Sequence, residues 1–303
     1  MDPTGNRRRL VFLGTPADAV LPLRALVDAG HDVALAVTQP DRRRGRGGAL
    51  VPSPVKAAAV DLGVPVSHRV DDVLETGAEL GVVVAFGRLV KPHVLDRIPM
   101  LNLHLSDLPR WRGAAPVERA ILAGDSETAV CVMRLEEGLD TGPVHERRLM
   151  TIGADETAPE LRARLVEAGT GMLLELLAGE LGEPSPQVGA PTYAAKLEPA
   201  DFALDWSRPA VDLHRIVRAG PGRAHTTFRD RRLNVHRTAL TDPATGAASM
   251  APGEVAGTPD GVLAGTGAGV LRLVDVQPEG KPVQEAGAWA RGARLQPGDR
   301  LGE

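Results

Sequence analysis

Cysteine is almost missing from this chain. Cys131 is the single one among 303 residues, so no disulfide can close within the chain. That suits a reducing compartment, and a cytoplasmic location is expected. Long apolar runs are missing too, and none approaches the roughly 18 residues that a membrane-spanning helix needs. The opening stretch MDPTGNRRRLVFLG is basic but has no long apolar segment ending in a small-residue cleavage site, which argues against a signal peptide. Aromatic residues make up only 3% while arginine is common, a compositional habit without a functional message. The turn LGTPADA lacks G-x-G-x-x-G, which disfavours a dinucleotide cofactor. RRRGRGG (42–48) lacks the Lys-Ser/Thr ending of a phosphate-binding loop. None of the eight histidines belongs to an H-x-x-x-H or His/Cys cluster, so no metal is expected. Ser106 has no G-x-S-x-G around it, and Cys131 lies in an apolar run, as a core residue does. A net charge of -4 argues against a protein coated in nucleic acid, yet leaves room for a local basic patch. Internal repeats are absent.

What is present is enough for two domains. The hydrophobic share is 43% over 303 residues, more than one comfortable core requires. Apolar runs at 9–14, 32–38, 81–87, 101–105 and 129–135 alternate with helical patterns at 17–29, 54–63, 116–123 and 155–179. Buried strands bounded by glycines and separated by helices predict an α/β fold with a parallel sheet covered on both faces. GEPSPQVGAPTYAAK (182–196) has the Pro, Gly and Ser texture of a linker. Beyond it, 207–220 predicts a helix with Pro209 in its first turn. Short strands with Gly, Pro or Asp turns then predict a small β-barrel or sandwich.

Three candidate groups stand out. NLHLSDLPRWRGAAP (102–116) places Asn102 and His104 on one face of a strand near its carboxyl end, where open α/β sheets carry their sites. A donating amide beside an imidazole suits acyl-type chemistry, which needs an oxyanion donor and a proton carrier. By itself, Asn-x-His favours a histidine satisfied by a backbone carbonyl. GLDTGPV (138–144) supplies Asp140, which could orient that imidazole and favour its charged form. Spacing alone favours a turn aspartate bonded to its own backbone. Arg42, Arg43, Arg44 and Arg46 form either a flexible solvated loop, favoured by composition, or a mobile arm for a polyanion.

Taken together, the blocks LVFLGTP (10–16), VTQPDRRRGRG (37–47), VPSPVK (51–56), VVVAFGRLV (82–90), NLHLSDLPRWRGAAP, GLDTG (138–142), TYAAKL (192–197), LDWS (204–207), VQPEGKPVQ and WARGARL (289–295) resemble the methionyl-tRNA formyltransferases. They follow that family's order along nearly the whole chain. The resemblance implies a Rossmann-like formyltransferase domain with a parallel-rich sheet over 1–183 and a linker over 184–203. A smaller C-terminal β-barrel, OB-like and tRNA-binding, is implied over 204–303. It implies formyl transfer from 10-formyltetrahydrofolate, with no metal, to the α-amine of methionyl initiator tRNA. Asn102, His104 and Asp140 match the family's catalytic trio. Phe86, Gly87, Arg88, Leu89, Ser106, Leu108 and Pro109 are expected around the folate. Arg42, Arg46 and Lys196 are expected on the tRNA. A monomer without membrane attachment is expected. The chain departs from the family pattern at Leu105, at Asp107, just after the GRG of the arm, and over 218–228. The last two fall on tRNA-facing regions, and on them rests a second reading, a paralogue that formylates a small-molecule amine.

Overall fold

The computed structural model describes residues 7–44, 48–241 and 250–303. In chain order the elements are β1 (Arg9–Gly14), α1 (Val20–Asp28), β2 (Asp32–Val37), β3 (Arg42–Arg44), β4 (Ala49–Val51), α2 (Pro54–Asp61), β5 (Val66–Ser67), β6 (Leu80–Val84), α3 (Pro92–Leu95), β7 (Met100–His104), β8 (Arg112–Gly113) and α4 (Pro116–Ala123). Then come β9 (Glu127–Arg134), β10 (Val144–Thr151), α5 (Ala158–Ala178), β11 (Tyr193–Ala194), α6 (Ala210–Ala219), β12 (His225–Phe228), β13 (Arg231–Leu240), β14 (Val255–Thr258), β15 (Gly261–Gly265), β16 (Val270–Pro278), β17 (Gln284–Glu285) and α7 (Ala286–Ala293). They group into two units. Met1–Pro116, Glu127–Thr151 and Arg162–Ala195 form one, and Val117–Ser126, Ile152–Leu161 and Lys196–Glu303 form the other. Among the described residues, no helix is long and apolar enough to cross a membrane.

The first unit is built on a seven-stranded sheet of order β10-β9-β7-β6-β1-β2-β5. The five strands from β7 to β5 are parallel, while β9 and β10 run antiparallel at one side. The apolar runs become these inner strands because both faces need cover: Leu10, Val11, Phe12 and Leu13 are wholly buried. Helix ends follow local chemistry. Ser53 caps α2 by accepting the Lys56 N–H at 3.0 Å, with Pro54 at its first position. Gly30 and Gly63, at φ 85° and 70°, turn the chain out of α1 and α2 as only glycine does easily. On β7, Met100 joins a core of Val11, Leu13, Val83, Val94 and Ile98. Alternation puts Asn102 and His104 on that same face, so the core gives way to polar groups at the strand's end. Leu103 points the other way, where a side chain at Gly169 of α5 would strike it at 2.5 Å.

Two expectations shift here. The strand expected over 81–87 stops at Val84, because Ala85 turns to φ 46° and Gly87 to φ 74°. β10 carries no apolar alternation and was not expected; VHERRLMT is mostly exposed and is held by its backbone ladder to β9. Charges such as Arg147 and Arg148 on an edge strand discourage further pairing.

The second unit holds an antiparallel sheet of order β12-β13-β16-β15-β14, with β17 beside β16. The chain end closes it. Leu301 bridges Phe228 of β12, while Arg300 bridges Glu254 just before β14, so both edges are covered by one segment. α7 escapes the sequence pattern because Gly287 and Gly292 interrupt it. Its buried residues Ala286, Trp289 and Ala290 still fall at helical spacing, and Trp289 meets Phe228 edge-on at 5.1 Å.

α6 buries His214 and Arg218. His214 Nδ1 lies 2.8 Å from Thr238 Oγ1, and Nε2 lies 3.1 Å from Asp155. Burial, and then the Arg218 charge, hold the imidazole below its ordinary pKa of about 6.5, against the opposing pull of Asp155. The unfolded chain therefore binds this proton at higher pH than the folded chain. The stability from neutral His214 is complete above about pH 6.5 and is lost as pH falls below it. Thermal unfolding followed by circular dichroism is expected to show Tm falling from pH 7 to pH 5. The fall should be shallower in His214→Gln, and equal slopes in both proteins would contradict the assignment.

Candidate active site

The chain leaves β1 in one direction for β2 and β5 and in the other for β6 and β7, so the carboxyl ends on either side of β1 diverge. Open α/β sheets place ligands at such a switch. Three loops meet on one peptide there. Thr15 Oγ1 donates to the Phe86 carbonyl at 3.2 Å, and Gln39 Nε2 donates to it at 3.4 Å. This holds the backbone after β6 while the Phe86 ring stays in the core at 2% exposure.

Asn102 and His104 stand on the next strand, both nearly buried. The Asn102 side-chain amide has no hydrogen-bond partner among the described residues. Its polar atoms are not among the unpartnered groups sealed from solvent, so the amide donors are open to a ligand atom that accepts. His104 Nε2 lies 3.1 Å from the Trp111 carbonyl. A carbonyl only accepts, so Nε2 carries a hydrogen. Nδ1 faces Asp140 Oδ2 at 3.7 Å, and the same oxygen accepts the Gly113 N–H at 2.7 Å. The structure thus brings Asn102, His104 and Asp140 together, which spacing alone did not show.

Backbone strain gathers at this place. Ala85, Trp111 and Asp140 have φ of 46°, 60° and 50°. Each such non-glycine residue costs on the order of 1–3 kcal/mol. The other cases are turn or cap positions: Arg229 and Asp230 in the β12–β13 hairpin, and Arg294 after α7. The glycines of GLDTG are explained by crowding. A Cβ on Gly142 would sit 1.9 Å from the Arg134 carbonyl, and one on Gly138 would sit 2.3 Å from Thr141 Oγ1.

Two supports come from much later in the chain. Thr192 accepts the Trp111 N–H through Oγ1 at 2.9 Å, and its carbonyl accepts from Arg112. Gln187 joins Arg112 to the Asp140 loop. Both residues sit in the segment read as linker; Thr192 opens the TYAAKL block, whereas nothing but a polar side chain marked Gln187. Asp107, one of the departures noted in the sequence, is ion-paired with Arg147 of β10. A half-exposed pair contributes at most about 1 kcal/mol, so what it supplies is placement of the loop.

Of the remaining expected residues, Ser106 shares the Trp111 carbonyl with His104, and the others stand apart from the trio. Ser106 is fully buried, and its hydroxyl donates to the carbonyls of Arg110 and Trp111 at 2.7 and 3.3 Å. Leu108 packs on Cys131 and Met133, and Pro109 follows it through a cis peptide. Gly87, Arg88 and Leu89 are exposed after β6, with Arg88 donating to the His68 carbonyl at 3.1 Å. Arg42 is exposed on the β3–β4 hairpin. Arg46 lies outside the described residues. Lys196 is in the second unit, exposed, beside a cleft of about 560 Å³ with Arg119, Asp201 and Arg208. Among the described residues no cluster of three His, Cys, Asp or Glu could hold a metal.

Residues 8–177 match the family model described as formyl transferase, and residues 196–294 match that described as formyl transferase, C-terminal domain. The methionyl-tRNA formyltransferase of Heliobacterium modesticaldum is 45% identical over 97% of this chain and 100% of its own length. That of Corynebacterium glutamicum strain R is 41% identical over 95% of this chain and 98% of its own length. Among solved structures, the N-formyltransferase of Helicobacter canadensis superposes with a TM-score of 0.67 at 15% identity, covering 89% of this chain and 99% of that one. The methionyl-tRNA formyltransferase of Clostridium thermocellum superposes at 0.56 and 14% identity, over 78% and 95%. At such identities these structures show the fold alone.

Cys131 takes no part in the polar cluster. Its thiol donates to the Ser106 carbonyl at 3.2 Å, and burial pushes its pKa up to about 11. The folded protein is expected to resist a thiol-specific reagent at pH 8 and to react once in guanidinium. Rapid labelling of the native protein would show the thiol to be accessible and ionised.

Proposed function

The chain belongs to the formyl transferase family, and from that premise we propose that it formylates the α-amine of methionyl initiator tRNA for translation initiation, with 10-formyltetrahydrofolate as donor. The observation that carries the chemistry is the open amide of Asn102 beside a His104 held by the Trp111 carbonyl and facing Asp140. The acceptor rests on 41–45% identity to methionyl-tRNA formyltransferases over nearly the whole chain. Asp107, one of the departures from the family pattern, is engaged by Arg147, so its charge is accounted for without a different acceptor.

The co-substrate supplies the formyl carbon. The amine nitrogen of methionine bonds to that carbon, the bond from carbon to folate N10 breaks, the amine loses a proton and N10 gains one. Asn102 donates to the developing oxyanion, and His104 in its charged form stabilises it from the same face. With Nε2 engaged by a carbonyl, Nδ1 is the nitrogen left to exchange a proton. Asp140 holds the imidazole. The 3.7 Å between them exceeds a direct hydrogen bond, and Asp140 helps remove the amine proton through water. Gly87, Arg88 and Leu89 offer exposed contact to the pterin end, together with the 138–142 loop. Phe86, Ser106, Leu108 and Pro109 shape the backbone around it. Arg42, Arg46 and Lys196 engage tRNA phosphates, giving an acidic protein a basic arm for a polyanion. The enzyme acts as a cytoplasmic monomer and needs no metal.

His104→Ala or Asp140→Ala is expected to abolish transfer while leaving the circular dichroism spectrum unchanged. Asn102→Ala should lower kcat by roughly 10²–10³, the usual loss for one oxyanion donor. A near-wild-type rate in any of the three removes that residue from the chemistry. The acceptor is tested by following formyl transfer onto methionyl initiator tRNA, onto elongator tRNA, and without acceptor. Transfer to the initiator alone is expected, and turnover without any acceptor would mean hydrolysis. Arg46→Ala should raise KM for the tRNA several-fold more than KM for the folate.

A further inference from the structure

The 138–142 loop and the 110–113 loop meet through one side chain that no motif includes. Gln187 Nε2 lies 2.8 Å from the carbonyl oxygens of both Asp140 and Gly142, so its two N–H groups donate one to each. Its Oε1 accepts from Arg112 twice, from Nε at 3.1 Å and from Nη2 at 2.6 Å. A primary amide offers two donors and two acceptor lone pairs, and here all four are used.

The two loops so joined contain every group that orients His104. Trp111, adjacent to Arg112, supplies the carbonyl on Nε2. Gly113, its other neighbour, supplies the N–H on Asp140 Oδ2. Asp140 itself has the left-handed backbone, φ 50°, and its carbonyl is one of the two that Gln187 grips. Gln187 thus holds, from a distant part of the chain, the peptide whose conformation aims the carboxylate.

We propose that Gln187 is a positioning residue for formyl transfer, acting through Asp140 and the Trp111–Gly113 backbone; this rests on the function proposed above. Its segment is docked independently. Ser185 and Val144 exchange two backbone hydrogen bonds of 2.8 Å, and β11 pairs with β8. Substituting the side chain therefore disturbs the aim of Asp140 without undocking the segment.

Two isosteric variants test it. Gln187→Met keeps length and loses all four hydrogen bonds. Gln187→Glu keeps the acceptor for Arg112 but cannot donate to the two carbonyls. The wild type is assayed first for transfer onto methionyl initiator tRNA, because its inactivity would overturn the function and not merely this residue's part in it. With an active wild type, both variants are expected to lose at least ten-fold in kcat, with KM for folate and tRNA within three-fold and Tm nearly unchanged. A wild-type kcat in Gln187→Glu overturns the proposal, since it would mean that only the Arg112 contact matters. A raised KM at constant kcat overturns it too, by making Gln187 a binding residue. Should Gln187→Met fail to fold, Gln187→Glu alone decides.

Discussion

The imidazole of His104 stands where its strand ends, and a single backbone carbonyl, that of Trp111, determines how the ring is turned. Strand geometry fixes only which face His104 occupies. Ring orientation and the identity of the protonated nitrogen come from that carbonyl on Nε2, with the Asp140 carboxylate on the other side. Both supports sit on left-handed backbone, a cost on the order of 1–3 kcal/mol each, which persists only where surroundings over-determine it. The surroundings do so here through Gly113, Thr192 and Gln187, all acting on backbone groups of the two loops.

Beneath this cluster the sheet does a simpler task. Its core face runs through Met100 and then exposes Asn102 and His104 to the carboxyl end, beside the switch between β1 and β6. Apolar packing holds the platform rigid, while the Asn102 amide keeps its donors free. Rigid placement of an unpartnered donor is what stabilisation of a developing charge requires, since no reorganisation then accompanies reaction. Asp107 shows the same division of labour. An acidic residue in a mostly buried loop is matched by Arg147 from the edge strand and leaves the reacting face alone.

The inner strands and the long helix were legible because their apolar periodicity reflects burial on known faces. Three features were not. β10 has polar residues on both faces, and a strand that packs mainly through its backbone leaves no side-chain pattern. α7 is built of alanine and glycine, whose small side chains give little periodic signal even where Trp289 anchors the helix. The early end of β6 follows from the left-handed turn at Ala85, which nothing in GVVVAFG announces.

By itself the sequence determined the α/β alternation, the face shared by Asn102 and His104, and the glycine-bounded turn around Asp140. Each depends on residues close in the chain, where period and turn chemistry suffice. Only the tertiary structure decided that Asp140 reaches His104, that Trp111 orients the ring through its backbone, and that Gln187 and Thr192 brace the two loops. Those contacts join residues between 7 and 81 positions apart, several through carbonyl and amide groups common to every residue type. A backbone atom carries no letter of its own, so its partner becomes visible only once the chain is folded.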